Sequence, residues 1–356
     1  MNQKDLITFI RDNRQKLRRG SFVFEDRFIY LETPKAACST MKYILCELAG
    51  RPANPSKSIY YESSKEMSIH YYSVHRFRSL PDLSTKDAER FFNDKSALRV
   101  CTIRNPYSRI ASTWAHKIRQ GEPQYVETII TINKENGRTS GNPTFLEFLK
   151  WLSLSDKNLY QDPHWAPMSS FLFPETIKYT HLIRTENMAE ELQQFLDDAE
   201  ISASAERLLK KYKINESLPY SWKDAYTPEA KQIVENLYSK DFQTFGYNHE
   251  ASLAKPRIKE SLTETERFAL ELENKAIESI SNRNFVIYQL IKKHPIETLI
   301  SRIYIATLRL ATNTKIATQR RLCGFKNIPH QKKTLSRTRK THVSPKPISE
   351  SIVDPD

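Results

Sequence analysis

Glycine is scarce in this chain, with 7 in 356 residues. No G-x-x-x-x-G-K-[ST] run occurs, which excludes the common glycine-rich loop for nucleotide phosphates. Cysteine is nearly as rare: 4 residues and no C-x-x-C pair. That excludes a disulfide frame or a thiolate zinc site and predicts reduced, mostly buried thiols in a cytoplasmic protein. No apolar run reaches the roughly 18 residues a transmembrane helix needs. The opening "MNQKDLITFIRDNRQKLRRG" has neither an uninterrupted apolar core nor a small-residue cleavage site, so no secretory leader is expected. Acidic residues are missing altogether between Thr298 and Ser349.

What is present suffices for a core: 39% hydrophobic residues, including 17 Phe, 17 Tyr and 4 Trp. The length suits one large α/β domain with an appendage, or two modest domains. The net charge of +13 is unevenly spread. Residues 251–356 hold 20 Lys and Arg against 10 Asp and Glu, a net +10, while residues 1–250 hold 35 against 32, a net +3. This split, and the change of composition after "FGYNHE", predict a first domain over residues 1–250, a basic helical extension over 251–325 and a disordered tail over 326–356.

Within the first part, strands and helices alternate. "FVFEDRFIYL" reads as one or two strands. After Thr33-Pro34, the residues Met41, Ile44, Leu45 and Leu48 fall at helical spacing, with Ser39 or Thr40 as cap and Gly50 as terminator. Leu98–Ile103 reads as a buried strand, followed by a helix with Asn105 at the cap, Pro106 at its first position and Ile110, Trp114 and Ile118 inward. "TIKYTHLIRTENMAEELQQFL" repeats the pattern. The polar stretch 120–143, with three of the seven glycines, is expected to be an exposed excursion. Thr227 and Pro228 open a helix expected to end near Lys240. The alternation predicts an α/β fold, a parallel β-sheet flanked by helices.

Two of the strand–loop–helix corners carry anion-binding chemistry. "TPKAACSTMK" sets Lys35 and the backbone of Ala36, Ala37, Cys38, Ser39, Thr40 and Met41 at the head of a helix, with Lys42 a further nearby charge. Lacking glycine, this loop is expected to run without positive-φ geometry. "IRNPYSRIASTW" sets Arg104 at a strand end, with Ser108 and Ser112 on one helix face beyond it. Either corner alone reads equally well as an ordinary turn, with Arg104 and Arg109 as surface ion-pair formers. Two anion-ready corners in one domain are much less expected by chance than one.

The paired loops resemble the nucleotide-binding motifs of sulfotransferases that use 3′-phosphoadenosine 5′-phosphosulfate (PAPS), most of all the carbohydrate sulfotransferases. "DPHWAPMSSFLF" with "YTHLIRTENM", and "YSKDFQTFGY", are similar to downstream elements of that family, so the resemblance covers about residues 22–248. It implies a P-loop-NTPase-like sulfotransferase fold, with PAPS as co-substrate, no metal, and a carbohydrate or glycolipid acceptor. It also implies that Lys35 and the loop 36–41 hold the 5′-phosphosulfate, and that Arg104 and Ser112 hold the 3′-phosphate. Many members place glycine where Ala37 stands. A general base is needed at the acceptor. His70, His75 and His164 are the candidates, with His75 placed first because it lies between the two loops, where similar enzymes carry their base.

For the basic extension the plainest expectation is a helical pair packed on the catalytic domain. Attraction to anionic lipid at the inner membrane face, or to an anionic glycan, is a second reading. No nucleic-acid motif accompanies the charge, so nucleic acid is not expected. Two rivals remain: a nucleotide-dependent kinase, against which the absent glycine-rich loop weighs, and a non-catalytic anion- or membrane-binding protein on a degenerate nucleotide fold.

Overall fold

The computed structural model describes residues 2–51, 53, 69–139, 141–212 and 222–249. The basic extension and tail expected beyond residue 250, and the domain boundary itself, lie outside the described residues.

Four strands form one sheet in the order β1 (Ser21–Phe24), β2 (Phe28–Leu31), β3 (Leu98–Ile103) and β4 (His181–Arg184). β1 and β2 are a short antiparallel hairpin, while β2, β3 and β4 run parallel. The expected parallel sheet is therefore mixed at one edge, because only two residues separate Phe24 from Arg27 in the turn and no crossover helix fits there.

The period-two alternation of side chains gives each face its own core. Phe22, Phe24, Phe28, Tyr30, Val100 and Ile183 point one way, onto the helices Cys38–Leu48 and Met188–Asp198. Val23, Ile29, Leu31, Cys101 and Ile103 point the other way, onto Leu6, Leu17, Phe91, Met168 and Phe245. A sheet covered on both faces explains why its strands read as nearly continuous apolar runs. A third cluster, with Tyr107, Phe148, Trp151, Trp165 and Phe242 among its members, joins the helices outside the sheet.

Three expectations are corrected. The stretch 120–143 contains a helix, Val126–Glu135, whose Val126, Ile129 and Ile132 are buried, so apolar spacing prevails there over flanking glycine. The helix opened by Thr227 and Pro228 ends at Leu237, and a second helix, Ser239–Phe245, follows it. Cys38, not a residue after Ser39 or Thr40, begins the helix that follows β2. Among the described residues no helix is long and apolar enough to cross a membrane.

Candidate active site

Because Leu31 pairs with Cys101 in parallel register, β2 and β3 end side by side and release both candidate loops at the same edge of the sheet. The first loop takes a conformation that its sequence hid. Lys35 and Ala37 both have positive φ, +68° and +58°, without a glycine in the turn. Ala37 is the N-cap of the helix Cys38–Leu48 and supplies no side-chain bond. The opening amides of that helix, on Cys38, Ser39 and Thr40, have no preceding turn to bond to and carry the positive end of its dipole. Ala36 and Met41 contribute differently: the Ala36 amide donates to Thr33 O (3.1 Å) and the Met41 amide to Ala37 O (3.0 Å), so both are spent within the loop. Thr40 Oγ1 donates to Tyr212 O at 3.2 Å.

The second loop is relaxed by comparison. Asn105 caps the helix Pro106–Thr113 by accepting from the Tyr107 amide, with Pro106 at the first turn. Arg104 donates through Nε to Ser108 Oγ (2.9 Å) and through Nη1 to the carbonyl of Lys35 (3.1 Å). One guanidinium thus ties the two corners together. Ser112 lies one turn beyond Ser108, half-buried. The helix then widens into a π turn, Trp114–Ile118, which carries His116 and Lys117. Neither was singled out from sequence, although Ser108, Ser112 and His116 stand at intervals of four, a usable signal.

Arg109 is no surface ion-pair former. It is fully buried, and its three nitrogens donate to Pro34 O (3.1 Å), Ala166 O (2.9 Å) and Pro163 O (2.7 Å). The buried Asp241 completes the assembly by accepting from the amides of Met168 (2.7 Å) and Ser169 (2.8 Å), while Tyr238 donates its hydroxyl to Trp165 O at 2.6 Å. The four sequence pieces that carried the resemblance are therefore one connected body.

Charge at the site is concentrated and positive. Lys35 is half-buried, and its pKa is pushed down to about 8, first by burial and then by the nearby Lys117, with Arg104 a smaller influence. Lys117 is held by both carboxylate oxygens of Glu122 at 3.0 Å. His116 is pushed down to about 3 by burial and by the charges of Lys35, Lys117 and Arg104. Such a cluster is stabilised by whatever anion enters it.

The histidines separate cleanly. His75 is buried, its ring packed against Phe22 and Phe77, and its Nδ1 accepts from the Phe77 amide at 3.0 Å. With Nδ1 occupied, the neutral ring carries its proton on Nε2 and has no lone pair to act with; burial pushes its pKa down to about 3. His164 is half-exposed. Its Nδ1 lies 2.7 Å from Asp162 Oδ1 and 3.0 Å from the Tyr125 hydroxyl, which also donates to Asp162 Oδ2 (3.1 Å). The carboxylate fixes the proton on Nδ1 and leaves Nε2 as an acceptor. Burial holds His164 below the ordinary histidine value, and Asp162 partly offsets it. His70 has both nitrogens engaged, Nδ1 with Lys42 Nζ (2.6 Å) and Nε2 with Ser39 Oγ (3.0 Å). Lys42, expected as an extra charge for the ligand, is instead 1% exposed and paired with Glu32 at 2.5 Å. Glu32, Cys38 and His70 offer ligand atoms within 4.8 Å of one another, but the Lys42 ammonium already forms an ion pair with Glu32 and a hydrogen bond with His70.

Comparison with known proteins identifies the family. A family model described as "Sulfotransferase family" matches residues 22–248. The chain is 26% identical over 180 residues to human carbohydrate sulfotransferase 8, covering 48% of this chain and 40% of that protein. It is 23% identical over 239 residues to human carbohydrate sulfotransferase 9, covering 62% and 51%. It is 24% identical over 181 residues to carbohydrate sulfotransferase 14 of Danio rerio, covering 49% and 46%. The chain thus spans about half the length of the curated relatives it matches. No solved structure matches it.

Proposed function

The chain belongs to the sulfotransferase family, and from that premise we propose that it transfers a sulfuryl group from PAPS to a hydroxyl of a carbohydrate. The observation that carries the reading is the Arg104 bond to the Lys35 carbonyl, which holds two anion-ready corners side by side at one sheet edge. PAPS has anionic groups at two ends, and this pair of corners has a donor set for each. The amides of Cys38, Ser39 and Thr40 hold the 5′-phosphate, and Arg104 with Ser112 holds the 3′-phosphate.

Sulfuryl transfer is an in-line displacement in which the protein positions, neutralises and moves one proton. Lys35 neutralises charge growing on the leaving phosphate. His164 Nε2 takes the proton of the acceptor hydroxyl, and Asp162 steadies the imidazolium so formed. We assign the base to His164 in place of His75, because of these two it is His164 that keeps an unprotonated nitrogen free of a backbone bond. The printed names of the relatives support a carbohydrate as the acceptor class.

Titrating 3′-phosphoadenosine 5′-phosphate (PAP) and ATP, each with and without a chelator, tests the donor. Tight PAP binding that ignores the chelator is expected; a preference for ATP that needs magnesium would overturn the reading in favour of a kinase. Labelled PAPS offered with a panel of glycans tests the transfer. His164→Ala should bind PAP as wild type does and lose turnover by about 10²–10⁴-fold.

A further inference from the structure

Beside the proposed donor loop stands the ion pair of Glu32 and Lys42, and from Lys42 run hydrogen bonds to His70 and on to Ser39 whose directions follow from chemistry alone. The Lys42 ammonium has only protons to give. Its 2.6 Å contact with His70 Nδ1 therefore makes that nitrogen the acceptor. The proton of the neutral ring must sit on Nε2, which lies 3.0 Å from Ser39 Oγ. Ser39 accepts that bond, and its own hydroxyl proton is left to be donated elsewhere. Upstream, Glu32 Oε2 at 2.5 Å and the face of Phe22 at 4.8 Å hold the ammonium in place. Burial and the neighbouring Lys42 charge keep His70 well below the ordinary histidine pKa, so the ring stays neutral. Its side chain is 32% exposed, at the rim of the loop.

We infer that His70 is a positioning residue: Lys42 fixes its tautomer, and the ring, by donating to Ser39 Oγ, anchors that oxygen and leaves the hydroxyl proton available to the 5′-phosphate of the bound nucleotide. The inference rests on the PAPS reading given above. Because Ser39 accepts from the ring, its proton is not spent on the imidazole, and its oxygen is held in place before the ligand arrives, which is preorganisation of the kind that lowers the cost of binding an anion.

Two nucleotides separate a positioning role from a merely structural one. PAP carries the 5′-phosphate, whereas adenosine 3′-monophosphate lacks it. Ser39→Ala should weaken PAP about tenfold, the worth of one hydrogen bond to a charged group. His70→Phe should weaken it equally, and the double variant should be no worse than either single one. Affinity for adenosine 3′-monophosphate should stay unchanged in all three. Losses that add in the double variant, or that fall equally on both nucleotides, would overturn the inference. Wild-type protein that binds neither nucleotide would instead sink the donor reading, and this inference with it. Should His70→Phe fail to fold, the nitrogen NMR shifts of His70 in the wild-type protein decide: a protonated Nε2 with a bare Nδ1 is expected, and the opposite tautomer or an imidazolium at neutral pH would refute it.

Discussion

At the second anion-binding corner every residue favours the shape it adopts: Asn105 caps the helix, Pro106 opens it, and Arg104 leans on Ser108. At the first corner two residues with side chains, Lys35 and Ala37, stand in the left-handed region, at a cost of about 1–2 kcal/mol each. Strained backbone persists only where its surroundings over-determine it. The surroundings here are the second corner itself, since Arg104 binds the Lys35 carbonyl and Arg109 binds that of Pro34. The relaxed corner therefore holds the strained one, and the strain fixes where Lys35 stands.

The largest effect that probes this contrast is expected at Lys35. Lys35→Ala should lower turnover by about 10²–10³-fold, as loss of a charge-stabilising donor does, with a smaller loss of PAP affinity. Its titration gives the wild-type counterpart. With the free-protein pKa near 8, the ammonium is lost as pH rises through that value, so PAP affinity should fall there. A bound anion pulls the pKa back up, and binding near pH 8 should take up a proton, read as calorimetric heat that varies with the buffer. For stability the sign is opposite. The folded pKa lies below the model-peptide 10.5, so the cost of burying the charge is full below about 8 and fades as pH climbs toward 10.5.

Next in size, Arg104→Ala should weaken PAP about 10–100-fold, while a 5′-phosphate nucleotide without the 3′-phosphate is affected far less. Equal losses for both would mean that Arg104 only props the first loop. The smallest effects compare the corners directly by urea unfolding. Asn105→Ala should destabilise by about 1 kcal/mol through loss of its cap. Ala37→Gly should stabilise by up to about 1 kcal/mol, because glycine occupies positive φ without penalty. Destabilisation by both substitutions would show that the first corner carries no strain.

The same contrast explains what could be read from the sequence. β3, its cap and its opening proline were legible because local propensity and tertiary demand coincide there. The pairing of Lys35 with Arg104 was legible as chemistry, from residue types at loop ends. The shape of the first loop was not, since alanine gives no hint of positive φ when distant guanidinium groups impose it. His75 stood where a base was expected, yet its role depends on a backbone amide two residues away, which sequence does not orient. His164 gained its claim from Asp162, two residues before it, and from Tyr125, a partner visible only once the fold is known. Arg109 looked like a surface charge because nothing local marks an arginine that satisfies three carbonyls from two other segments.

Arg109 also acts as a gauge block. On one side it grips Pro34, the neighbour of Lys35; on the other it grips Pro163 and Ala166, which flank His164. The group assigned to the leaving phosphate and the group assigned to the acceptor proton thus share a single rigid spacer, and neither can drift without moving the other. One buried side chain thus links the two ends of the path proposed for the sulfuryl group.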